Sequence, residues 1–98
     1  MRKRISELTE RDKELFLEAT KQAMKRNHGV EWSVIEKKIQ DDIDAAFDDE
    51  RCAKMDPEMA VDAAYARRDF KGVKPDMIDY LLWSLKFVTK SDYVDIPD

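Results

Sequence analysis

The stretch WSVIEKKIQDDIDAAF, residues 32–47, decides the fold class. Trp32, Ile35, Ile39, Ile43, Ala46 and Phe47 recur every three or four residues. That spacing gathers them on one face of a helix and turns most of the acids to the other. Ser33 followed by Glu36 is a capping box. The pattern predicts a helix over about 33–52. Its apolar spacing fades after Phe47, so the end falls between Asp49 and Lys54.

The segments on either side read the same way. Thr9 and Asp12 form a variant of the capping box, and Leu8, Leu15, Phe16, Ala19, Ala23 and Met24 mark one face. Asn27, His28 and Gly29 then close a helix over about 9–27, with Gly29 free to take the left-handed conformation. Asp56 and Pro57 suit the cap and first position of a third helix, about 57–70. Met59, Ala63, Ala66 and Phe70 mark its inner face, and Gly72 ends it.

A fourth helix spans about 75–90. Ile78, Leu81, Leu82, Leu85 and Val88 form one stripe, and Tyr80, Trp83 and Phe87 form another. A helix that is apolar around most of its girth is buried on most sides. It belongs at the centre of the bundle, or it is completed by a second subunit. Pro97 makes the tail extended, since the residue before proline avoids the helical region. Residues 1–5 and 92–98 are expected to be flexible or docked on a partner.

These elements predict an all-α fold: a compact bundle of four helices, an apolar C-terminal helix and a short extended tail. Ninety-eight residues make one domain, 1–98. Hydrophobic residues at 43% are too many for a disordered chain, and two Gly with three Pro are too few for a many-stranded β fold.

The net charge is −4, from 18 Lys and Arg against 22 Asp and Glu. A chain-wide basic footprint for nucleic acid is absent. The charge is unevenly spread. Residues 31–50 hold eight acids against Lys37 and Lys38, while Arg2, Lys3 and Arg4 open the chain. A second basic stretch holds Arg67, Arg68, Lys71 and Lys74 around Asp69. Cys52 is the only cysteine, so no disulfide forms within the chain, and a reducing compartment fits. The basic start is followed by polar residues rather than an apolar signal core. The apolar stretch 78–88 is too short to span a bilayer. The expected location is the cytoplasm, with no membrane partner.

Few chemistries fit these residues. One His and one Cys build no Cys/His zinc site within a chain, and the acids lie on a helix rather than in a glycine-containing calcium loop. Asp44 with Asp48, and Glu58 with Asp62, share helical faces. They sketch a magnesium-dependent all-α phosphohydrolase, but without the doubled carboxylate motifs of the nucleoside-triphosphate pyrophosphatases. His28 has no nucleophilic partner in sequence, and its place suits it to helix capping. The two glycines are isolated, so no phosphate loop exists. No catalytic residue, metal or cofactor is expected.

The leading expectation is a small non-enzymatic interaction protein. It acts stoichiometrically on a macromolecular partner, as the small inhibitors of phages and mobile elements do. Its contact is an acidic helix face of Asp41, Asp42, Asp44, Asp48, Asp49 and Glu50; the plain alternative is a solvated face. A second reading makes Arg67, Arg68, Lys71 and Lys74 a site for nucleotide or nucleic-acid phosphate, since Arg matches phosphate geometry. Against it, cations belong at a helix C-terminus on dipole grounds alone. The third reading is the magnesium enzyme. A homodimer is expected through Tyr80, Trp83 and Phe87, because Trp and Tyr suit interfaces.

Overall fold

The computed structural model describes residues 1–97. Helix α1 (Glu10–His28) starts where Thr9 holds an extended backbone. Thr9 Oγ1 accepts from the Asp12 amide at 3.1 Å, and Asp12 Oδ2 accepts from the Thr9 amide at 3.0 Å. Two donors that the first turn would leave orphaned are thereby satisfied. Gly29 ends α1 at φ 62, donating its amide to the Lys25 carbonyl.

Helix α2 (Trp32–Ala46) begins one residue before the expected Ser33 cap, which places Ser33 inside the first turn. The helix expected over 33–52 is two helices. Phe47 and Asp48 interrupt it, and α3 (Asp49–Ala53) follows. The cause is local. Asp48 adopts extended backbone and its carboxylate accepts from the Arg51 amide at 3.0 Å. An aspartate that caps a new helix stops the old one. Helix α4 (Pro57–Asp69) has Pro57 in its first turn, as the sequence predicts. Helix α5 (Met77–Thr89) completes an all-α fold in which four of the five helices have seven or more residues.

The tail is a strand. β1 (Arg2–Arg4) pairs antiparallel with β2 (Tyr93–Asp95), with Arg2 opposite Asp95, Lys3 opposite Val94 and Arg4 opposite Tyr93. Backbone bonds from Ile5 to Asp92 and from Ile96 to Met1 extend the ladder at both ends. The chain ends, expected to be flexible or partner-docked, are thus tied to each other; of that tail, Asp98 lies outside the described residues. Two strands alone are marginal in water. Here alternation turns Val94 and Ile96 inward onto Leu82, with Leu15, Phe16 and Leu85 around them.

The chain divides into two compact units. One joins residues 1–35 to 78–98 and holds the Leu82, Val94 and Ile96 core. The other, 36–77, buries Ile43, Ala46, Ala63 and Ala66. Ala63 and Ala66 of α4 are buried, as expected, and Phe70 is half-buried with its ring edge-on to Phe47 at 6.5 Å. Met59, expected on the inner face, is 52% exposed. In α5 only Leu82 is fully buried, and Val88 at the last turn is 79% exposed. No helix of the described residues is long and apolar enough to cross a membrane.

Candidate interaction surface

The unit 36–77 carries the charge of the whole chain. It holds twelve of the 22 acids and eight of the 18 Lys and Arg, which leaves −4; the other ten acids and ten bases cancel. Helix α2 supplies Asp41, Asp42 and Asp44, the following turn Asp48, and α3 Asp49 and Glu50.

These six carboxylates do different jobs. Asp48 caps α3. Asp49 receives the Arg67 guanidinium at 2.6 Å, and Glu50 meets Lys54 at 3.7 Å. Asp44 pairs with Lys74 and accepts from Gln40 at 3.2 Å. The Lys74 ammonium, helped by the Gln40 amide, holds the Asp44 carboxyl below the usual carboxylate range. Asp41 and Asp42 stay exposed on the outer side of α2.

The basic stretch is brought to the acidic one within a single chain. Arg67, in the last turn of α4, donates Nε to the Ala46 carbonyl at 2.7 Å as well as Nη1 to Asp49. Ala46 ends α2, so its carbonyl lacks an intrahelical partner. The Cys52 thiol also donates toward the Ala45 and Ala46 carbonyls, at 3.4 and 3.3 Å. Asp49 raises the Arg67 pKa further, so the cation is permanent. Arg67 is thus a cap for another helix. Sequence reading found the cation but not this role, since only folding brings residue 67 to residue 46.

Arg68 lies over the Tyr65 ring, 4.8 Å from its centroid, with Nε 3.1 Å from Asp69. Lys71 is exposed at φ 53. The four basic residues do not share a partner among the described contacts. Asp44, Asp48, Glu58 and Asp62 do not gather either: among the described residues no three His, Cys, Asp or Glu come together as a metal site. His28 is exposed at the end of α1.

In the other unit, Tyr80, Trp83 and Phe87 form a ladder along α5. Tyr80 and Trp83 are 5.6 Å apart between centroids, and Trp83 and Phe87 are 5.5 Å apart and stacked. Phe87 is 44% exposed. Comparison with family models, curated proteins and solved structures finds no match to the chain.

Proposed function

We propose that this protein is a non-enzymatic interaction protein of the cytoplasm that binds a basic macromolecular partner stoichiometrically. The contact is the acidic surface of α2 and α3, with Asp41 and Asp42 at its centre. One observation carries the reading: the entire net charge of the chain lies in residues 36–77, and Asp41 and Asp42 stand exposed there. Such a surface steers a basic partner and fixes its register by charge complementarity. Asp44 and Asp49, already held by Lys74 and Arg67, shape the face rather than form its contacts.

The basic residues 67–74 give less support to a phosphate site, because three of the four cations are engaged by carboxylates. A second observation favours self-association. The α5 ladder ends in an exposed Phe87 beside an exposed Val88. A twofold contact there covers both, and twofold dimers are the commonest closed assembly.

Affinity capture from lysate with mass spectrometry tests the main reading, run in parallel with an Asp41→Asn, Asp42→Asn variant. The expected result is a saturable partner that the variant fails to retain and that salt elutes. Equal capture by both proteins contradicts the reading.

A further inference from the structure

We propose that the outer face of the terminal ribbon binds single-stranded nucleic acid, with Arg2 and Arg4 as donors to two successive backbone phosphates. Arg2 and Arg4 alternate with Lys3 along β1, so they share the outward face. Across the ribbon, Tyr93 shares that face. Both guanidinium carbons lie over its ring, at 5.4 Å for Arg2 and 5.2 Å for Arg4. The face of the ring attracts both cations and holds them beside each other.

Their polar contacts are neutral. Arg2 reaches the Ser91 hydroxyl at 3.4 Å, and Arg4 donates to the Tyr93 hydroxyl at 2.9 Å. Neither meets a carboxylate among the described residues, unlike Lys3, which is 2.9 Å from Asp12. Each guanidinium carries five N–H donors, so most stay available for an anion. Asp95, opposite Arg2 on the same face, offsets one of the two charges, so the pair still leaves a net positive charge beside the ring.

The occupant follows from the clefts. One of about 280 Å³ is bordered by Arg2, Ser91, Tyr93 and Asp95 and by the apolar Leu85 and Val94. Another of about 330 Å³ is bordered by Arg4, Ser6, Lys86 and Asp92. Lys86 neutralises Asp92 at 3.0 Å, which leaves Arg4 as the uncompensated charge of the second cleft. Each cleft is at the lower end of ligand-sized cavities, room for one nucleotide-sized group. Two clefts bordered by the same ribbon, each with one arginine and a hydroxyl, fit a repeating phosphate chain better than a lone phosphate. A single strand can splay its units into them, whereas a duplex keeps its bases stacked.

The test is fluorescence anisotropy of a labelled twelve-residue oligothymidylate with the full chain. Two phosphate contacts predict a log–log salt slope of about −1.4, or about sevenfold weaker binding at 200 mM than at 50 mM salt. Arg2→Gln or Arg4→Gln reduces the slope to about −0.7. The Arg2→Lys, Arg4→Lys double variant keeps both charges and hence the slope, which separates loss of charge from loss of fold. Absence of saturable binding, or a slope unchanged by Arg→Gln, overturns the site. Displacement by millimolar inorganic phosphate at constant ionic strength, or tighter binding of a hairpin duplex, overturns the single-stranded occupant.

Discussion

Lys90 ends α5 in left-handed backbone at φ 56, with its amide donating to the Lys86 carbonyl at 2.8 Å. A residue with a Cβ is strained there, by about 1–2 kcal/mol. Glycine relieves the strain but loses more backbone entropy on folding. Lys90→Gly is expected to stabilise the protein by about 1 kcal/mol, which raises the melting midpoint by about 4–8 °C in a domain of this size. A lower midpoint contradicts the assigned turn. Gly29, at the end of α1, was legible in the sequence because its chemistry is local. Arg67 was not: its type suggested phosphate, whereas its partners are a carbonyl and a carboxylate that only tertiary structure supplies.

At the scale of elements, Asp48 separates α2 from α3 by accepting the Arg51 amide. Asp48→Ala removes that acceptor and is expected to cost about 1 kcal/mol, read from denaturant midpoints at constant slope. An unchanged midpoint means that the break has another origin. At α1, Asp12 caps the helix and also anchors Lys3 of β1. The Lys3 ammonium first, and the Thr9 amide next, hold its carboxyl below the usual range. Its stabilisation is therefore present above the unfolded carboxylate value of about 3.9 and is lost as pH falls through the lower folded value. Asp12→Asn is expected to be less stable than the parent at pH 7, with the gap closing below about pH 4. A gap independent of pH contradicts the ion pair. Helix positions were legible from periodicity and caps, because both act within a turn or two. The ribbon was not, since Arg2–Arg4 meets Tyr93–Asp95 across almost the whole chain. Its inward Val94 and Ile96 nonetheless show the alternation that marks a strand.

For the molecule as a whole, the acidic cluster was legible as composition, but its division of labour was not. Asp48 caps, Asp44 and Asp49 pair with Lys74 and Arg67, and Asp41 and Asp42 face outward. The basic stretch, which the sequence offered to a phosphate or to the end of its own helix, is partly spent on the acids of its own chain. Self-association through α5 remains a separate expectation. Sedimentation equilibrium at micromolar concentration should give twice the 11.5 kDa chain mass. Trp83→Ala should return it to a monomer, and a clean monomer in the parent contradicts the contact. The acidic face itself is tested most directly by calorimetric titration of a captured partner over a salt series. The account predicts affinity that falls steadily with salt and a weaker dependence in the Asp41→Asn, Asp42→Asn variant. Identical affinity and salt dependence in both proteins would contradict it.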